Sequence, residues 1–470
     1  MSQFGPMMGR RGLLKAGGAA LALGSLGSLA ACSTAGSSGT ASAASGTFKM
    51  LYFGDQKSAD ALQKSLAPEV AKLDSKVTLQ VSAVNGTDWN DFFAKVLTQI
   101  ASGSPPDIVG VATEGVQLMA SKGLAIPLDD YVKKDMDNLK SYFSDVHPAL
   151  VEAMMYKGSL YELPSDFNAG NMYYSTSLFQ KAGIAEPGPN WTMDDFYNAS
   201  QKISKLGGVN GFSWVVRLWG SWTSFMYANG GNLLSEGKYD GGDWLWNSAY
   251  AGDPAASGRK GGWQWGDPTA NSAPVVEALQ YMIDMKNAGV APSPDVGGGQ
   301  TLQGLFASER IGTAIGGGFW AGGLHNAGMK SDAFNVQLFP KWKSQRHLFG
   351  TGGYAIFKSS KQKDLAWEIL KLLIKPSSFD IIAPGNVTTP ARKSLMTAER
   401  YKTTGPKNWN VFYDTLTDHP DTAPIPAPPY YNALATALNT RTTEALSTGN
   451  AKAALDGLQG DLEAAAKVSQ

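Results

Sequence analysis

The amino-acid sequence predicts an α/β protein, and three observations carry that expectation. The first is a strand, helix, strand, helix, strand order between Thr47 and Val111. The second is the switch of apolar period, from two to three-and-four and back, at each step of that order. The third is length: 470 residues with 54 glycines leave room for two or more lobes with real cores. Thr47–Phe53 alternates as a strand and stops at Gly54-Asp55. Ala59, Leu62, Leu66, Val70 and Leu73 then recur at helical spacing, and Val77–Ala83 alternates cleanly. Trp89, Phe92, Phe93, Val96, Leu97 and Ile100 mark a second helix, and Asp107–Val111 a third strand entered through Pro105-Pro106. This order argues a parallel sheet covered by helices, with ligands beyond the carboxyl ends of its strands. Asp55 after the first strand and Thr113-Glu114 after the third stand at those ends.

Composition narrows the function classes. Forty Lys+Arg balance 40 Asp+Glu, so no global field favours nucleic acid. Thirteen Trp and 17 Tyr suit a surface for polar rings, although large cores use them too. The single cysteine, Cys32, ends Leu29-Ala30-Ala31-Cys32 after the Gly/Ala/Leu-rich run Ala16–Ala31, with Arg10, Arg11 and Lys15 upstream. Charged start, apolar middle and small residues before a cut make a secretory signal over 1–32. Gly9-Arg10-Arg11-Gly12-Leu13-Leu14-Lys15 resembles a twin-arginine signal, with Gly9 and Leu13 where Ser/Thr and Phe are usual. Leu-Ala-Ala-Cys resembles a bacterial lipobox, which implies that Cys32 is acylated and anchors the chain to the bilayer outside the cytoplasmic membrane. Residues 33–46, rich in Ser, Gly, Ala and Thr, read as a flexible tether.

One stretch looks central. Ile311–Ile315 reads as a buried strand that breaks into Gly316-Gly317-Gly318 and meets Phe319-Trp320 at a helix start. Glycines admit close backbone approach, and a helix start offers free N–H groups beside the tryptophan. That is either a ligand floor or a strand-to-helix turn whose tryptophan is core.

Several segments then carry a family resemblance. Pro106-Asp107-Ile108-Val109 and Lys122–Tyr131 resemble the first lobe of extracellular solute-binding proteins of carbohydrate ABC importers, the maltose-binding-protein-like group. Gly158–Asn168 with Met172–Ser175 and Leu178–Gly183 resembles that family's first crossover between lobes. Trp191-Thr192-Met193-Asp194-Asp195-Phe196 fits its Trp-Thr signature, physically a helix start with Thr192 as N-cap and Asp195 in capping-box position. Ala228–Leu234 resembles its Asn-Gly-Gly turn, Trp265–Gly289 the following helix, and Ile311–Trp320 its strand-turn-helix whose Trp stacks on sugar. Asp364–Leu373, Asn386–Ser394 and Pro428–Tyr431 follow in the family's order. Tyr239–Gln264, holding Trp244, Trp246 and Trp263, is longer than the family leads one to expect; it either lines the cleft or forms a mini-core.

The resemblance implies a periplasmic-binding-protein-like fold: two lobes, each a central β-sheet flanked by helices, joined by a three-crossover hinge. It divides the chain into 47–164 with 352–389 as one lobe and 165–351 with 390–470 as the other. It implies a mono- or oligosaccharide held between lobes, with Asp55, Glu114, Asp166 and Asn168 at the hydroxyl rim and Arg392 as a donor. Trp320, Tyr354 and Tyr431 would be the aromatic plates, with Trp219 and Trp222 on the second lobe's wall. The implied partners are ABC permease subunits with their ATPase, and the chain is expected to act as a monomer. No enzyme, metal or cofactor is expected: there is no G-x-S-x-G or H-E-x-x-H, and His147, His325, His347 and His419 are scattered. Gly316-x-Gly318-x-x-Ala321 imitates a dinucleotide fingerprint but lies outside a βαβ nucleotide unit. A binding protein for a polyamine or peptide, and a glycan-cleaving enzyme built on two carboxylates, remain open.

Overall fold

The computed structural model describes residues 46–296 and 299–469. The signal, Cys32 and the tether up to residue 45 lie outside the described residues.

The chain begins as the apolar periods dictate. Strand β1 (Gly46–Phe53) leads to helix α1 (Gln56–Leu73), whose Ala59, Leu62, Leu66 and Val70 are buried, while Leu73 stays 40% exposed. Then come β2 (Val77–Val84), α2 (Trp89–Ala101), β3 (Ile108–Ala112) and α3 (Thr113–Ser121). β1 pairs in parallel with both β2 and β3, as expected. Helices α4 (Asp129–Phe143) and α5 (Pro148–Ala153) complete this side, α4 meeting the later helix Lys363–Leu373 through Tyr131 stacked on Trp367.

Strand β4 (Asp166–Ala169) stays in the first lobe's sheet; Gly170 follows, and β5 (Asn171–Ser175) opens the second. The second sheet also holds β6 (Asn210–Ser213), which follows α6 (Met193–Ser204). That helix starts with the expected capping box: Thr192 Oγ1 accepts from Asp195 N at 3.2 Å and Asp195 Oδ2 from Thr192 N at 2.8 Å. Further along lie β7 (Val215–Val216), α7 (Trp222–Ala228), the hairpin β8 (Leu234–Lys238) with β9 (Trp263–Pro268), and α8 (Ala273–Asn287). Trp265–Pro268, expected as the start of that helix, is therefore strand: Trp265 pairs with Glu236, and Pro274 opens the helix. Then come β10 (Ile311–Gly316), α9 (Phe319–Asn326) and β11 (Phe334–Gln337).

The nine-residue β12 (Leu348–Ile356) returns to the first sheet, running antiparallel to both β3 and β4. Short strands β13 (Thr389–Pro390) and β14 (Ala423–Pro424) join β4 and β12 there. The first sheet is thus ordered β13-β4-β12-β3-β1-β2, and the second β11-β5-β10-β6. Helices α10 (Tyr431–Thr448) and α11 (Ala451–Val468) close the chain. Among the described residues no helix is long and apolar enough to cross a membrane.

Two expectations need correction here. The lobe division at 164/165 and 351/352 falls beside or within strands of one sheet, because β4 and β12 pair over Gly352↔Asp166 to Phe349↔Ala169. The chain leaves the first sheet at Gly170, whose N–H donates to Leu348 O at 3.0 Å. The last segment, placed with the second lobe, serves both: β14 pairs in the first sheet, and Tyr431 at the head of α10 meets Phe93 of α2 edge-on at 6.4 Å.

The glycine-rich turn also has its explanation. A Cβ on Gly317 would lie 2.7 Å from Asn168 Cβ, and one on Gly318 would overlap Thr389 Oγ1. One helical turn on, a Cβ at Gly322 would stand 2.2 Å from Gly385 O, and Gly322 N–H donates to Asn386 O at 2.9 Å. What comes close to these glycines is the chain's own crossovers. Gly322→Ala meets backbone, which cannot rotate away, and should cost about 1–3 kcal/mol. A melting temperature unchanged in that variant would contradict this packing; a fall of a few degrees is expected.

Candidate functional site

Helix α3 starts directly at the end of β3, and Trp219 of the second lobe reaches β12 beside it, together forming the candidate cleft. Thr113 Oγ1 fixes that start, accepting from Thr351 N at 2.9 Å and donating to Thr351 O at 3.1 Å. Glu114, in the first turn of α3, is 3% exposed, and its Oε2 has no hydrogen-bond partner among the described residues. Opposite stands Arg217, just past β7. Its Nε donates to Trp219 O at 2.7 Å, and its Nη2 is buried without a partner among the described residues. The guanidinium fits because its neighbours lack side chains: a Cβ at Gly299 would lie 2.9 Å from Nη1, and one at Gly220 3.4 Å from Nη2.

Aromatic rings stand beside these charges. Trp219 is half-buried, packs against Phe319 at 5.6 Å between centroids, and lies 5.4 Å from the Arg217 guanidinium carbon. The floor between the charges and the rings is bare backbone. A Cβ at Gly350 of β12 would lie 3.6 Å from Trp219 Nε1 and 3.8 Å from Glu114 Oε2. Next along the floor, a Cβ at Gly352 would meet Asp166 Oδ1 at 2.7 Å. Tyr354, buried and two residues further along the same strand, lays its ring against Gly110 of β3.

Burial dominates the electrostatics. It pushes the Glu114 carboxyl up to about 7, an effect to which Asp88 and Asp166 add and which Arg217 opposes. It likewise lifts Asp166 to about 6, against hydrogen bonds from Gly352 and Thr388. Burial lowers Arg217 to about 10 despite Asp88, Glu114 and Tyr431 nearby. The cleft therefore offers a carboxyl and a guanidinium, both with free hydrogen-bonding capacity, between aromatic faces. A ring with an apolar C–H face and a rim of hydroxyls matches each part.

Comparison with known proteins gives this geometry a family. The profile of the bacterial extracellular solute-binding protein family matches residues 55–378. The chain belongs to that family. A Brucella abortus protein named as a binding protein is 26% identical over 296 residues, 61% of this chain and 62% of that one. The alignment thus spans less than two thirds of that relative. The diacetylchitobiose binding protein of Streptomyces coelicolor is 24% identical over 73% of this chain and 72% of its own. Among solved structures, an ABC substrate-binding protein from Listeria monocytogenes in complex with cycloalternan superimposes with a TM-score of 0.70. It is 23% identical, and the match covers 89% of this chain and 98% of that one, so the two-lobed fold is shared.

Within this solute-binding fold the sequence-expected residues divide. Glu114, Asp166, Trp219 and Tyr354 gather around the β12 floor, and Tyr431 backs it from α10, close enough to Glu114 for that carboxylate to add to the rise that burial gives the Tyr431 phenol. Asn168 faces the hinge: its Nδ2 donates to Thr388 Oγ1 at 2.9 Å and its Oδ1 accepts from Phe319 N at 3.3 Å. Asp55 is the exposed N-cap of α1, accepting from Ser58 N at 2.7 Å. Arg392 is occupied elsewhere, donating to Asp145 Oδ2 at 2.9 Å and Ser141 O at 3.0 Å.

Two tryptophans are core. Trp222 is fully buried and donates to Thr442 Oγ1 at 3.0 Å. Trp320 is fully buried between Tyr173, at 5.2 Å, and Phe306, at 5.4 Å, inside the second lobe. One position earlier on the same helix, Phe319 turns about 100° away and takes the cleft place expected of Trp320. Sequence reading missed Phe319 and Arg217. The second had a signal, a lone cation inside the apolar run Val215–Trp219. The histidines are also less scattered than expected: the rings of His347 and His419 meet at 4.9 Å. Among the described residues no group of three or more His, Cys, Asp and Glu could hold a metal ion.

The raised Glu114 pKa fixes a pH dependence. Between 4.5, its ordinary value, and about 7 the folded chain holds a proton that the unfolded chain has lost, so stability falls as pH rises. The loss is on the order of 3 kcal/mol. In ligand-free protein Glu114→Gln should raise the melting temperature at pH 8 and leave it little changed at pH 4.5. Identical pH–melting curves for the two proteins would refute the buried, uncompensated carboxyl.

Proposed function

We propose that this protein captures a carbohydrate, a mono- or oligosaccharide, between its lobes and delivers it to the permease of an ABC importer. One observation carries the reading: Glu114 Oε2 and Arg217 Nη2 are both buried and, among the described residues, unpartnered beside the Trp219–Phe319 pair. A sugar hydroxyl both donates and accepts, so one ring can satisfy both groups and stack on the aromatic faces, at no cost in ligand charge. Family membership, and relatives and neighbours named or solved with sugars, support it. A polyamine fits less well, because Arg217 would repel a polycation that Glu114 attracts.

The rest of the assignment rests on the sequence. Cys32 after Leu29-Ala30-Ala31 is proposed as the acylated anchor at the outer face of the cell membrane, reached through the twin-arginine route. The protein acts as a monomer, uses no cofactor and performs no catalytic step. The ligand makes contacts to both lobes in the closed form alone, so binding draws the hinge shut. Micromolar affinity, about −8 kcal/mol, suffices for such a receptor.

Thermal-shift screening of the domain from Ser33 onward against sugars, polyamines and short peptides tests the class. A ligand at a hundredfold excess over its Kd stabilises the native state by about 2.7 kcal/mol. Trp219→Ala should weaken a sugar hit roughly tenfold, the loss of one stacked ring face, whereas Arg392→Ala should not weaken it. A hit confined to polyamines or peptides would keep the fold and overturn the substrate class.

A further inference from the structure

The long segment between β8 and β9 does not form a mini-core of its own: its Leu245, Trp246 and Tyr250 are buried in the main core, and its contacts run to both lobes. Its root is in the second lobe: Thr269 N–H donates to Leu233 O at 2.9 Å, and Gln459 of α11 donates to Pro268 O at 2.9 Å. Its tip is fastened to the first lobe. Glu152 of α5, fully buried, accepts from Lys238 Nζ at 2.5 Å, Arg259 Nη1 at 2.7 Å and Lys260 N at 3.0 Å. Trp244 Nε1 donates to Asp129 at 3.1 Å, and Gly158 N–H donates to Gly261 O at 2.9 Å. At that contact a Cβ on Gly261 would lie 2.6 Å from Gly158 Cα, so the two backbones touch.

We propose that this arm is a strap: it rides with the first lobe, is tethered to the second by the β8–β9 ribbon, and limits how far the ligand-free lobes open. A buried carboxylate stripped of its cations is left uncompensated, so the clamp at Glu152 holds while the hinge moves. The bending then falls on the ribbon, which is two strands wide and irregular between Leu234 and Glu236. Three crossovers permit a wide swing; two further strands tied across the same gap shorten it. The ribbon also touches the site's own helix, since Gln117, one turn beyond Glu114 on α3, donates to Trp263 O at 2.7 Å. Opening therefore strains the element that carries the cleft carboxyl.

The test needs no ligand and so stands apart from the substrate class. Glu152→Gln loosens the clamp, and Trp244→Ala, at a half-buried position, releases the tip with the core intact. Both ligand-free variants should show a larger radius of gyration in solution scattering than the unaltered protein. Trypsin should cut after Arg259 or Lys260 roughly tenfold faster, following the freed population. Faster cleavage with an unchanged scattering profile would show an arm that restrains nothing. Unchanged cleavage in both variants would show that these contacts do not hold it. Either result overturns the strap.

Discussion

The structure depends on one close contact, where α9 meets the crossovers. Gly317 and Gly318 lie against Asn168 of β4 and Thr389 of β13, and Gly322 lies against the backbone of Gly385 and Asn386. Asn168 and Thr389 belong to the first sheet and lie beside the Gly170 exit, so the second lobe's helix is seated directly on the first lobe at the hinge. Asn168 completes the seat by accepting from Phe319 N while donating to Thr388. The seat also aims the side chains: with the helix fixed there, Trp320 points into the second lobe's core and Phe319 into the cleft. A bulkier turn would move both at once.

From that seat follows an unusual charge arrangement. Glu114 and Arg217 have opposite signs and feel one another, yet among the described residues each keeps an unpaired buried atom. A closed ion pair would satisfy both and leave the cleft inert. Keeping them apart leaves two desolvated groups with unmet hydrogen bonds, and in the proposed function a polar ligand fills them, so that part of the binding free energy is stored in the unliganded protein. Residues outside the cleft show the contrast. Arg392 with Asp145 is fully engaged and holds an architectural joint.

Much of the fold was legible because local rules and tertiary packing agree. Apolar period placed β1 to β3 with α1 and α2, and the Thr192–Asp195 box placed the start of α6, within a residue or two. The cleft was partly legible: Glu114 follows from its place after a parallel strand. Trp320 was misread for a physical reason, since neighbouring positions on a helix face different ways and sequence does not say which side is the core. Lobe boundaries misled for another. A strand pairs by register with partners distant in sequence, so β4 and the head of β12 could not be assigned without knowing their neighbours. The arm's attachment was invisible, since its partners on α4 and α5 lie about a hundred residues earlier in the chain.

The glycine floor of β12 has an evolutionary side. In the proposed site Gly350 and Gly352 present main chain on the floor: a Cβ at Gly350 would only touch Trp219 and Glu114, whereas one at Gly352 would press on Asp166 Oδ1 at 2.7 Å, so the strand is least free to vary at Gly352. The walls come from separate loops and helix starts, each carrying one or two side chains over that fixed base. Paralogues could thus drift toward new solutes by exchanging wall residues singly, keeping a working hinge at every step. In the proposed site, specificity then lies in single side chains set on a backbone that is least free to vary at Gly352.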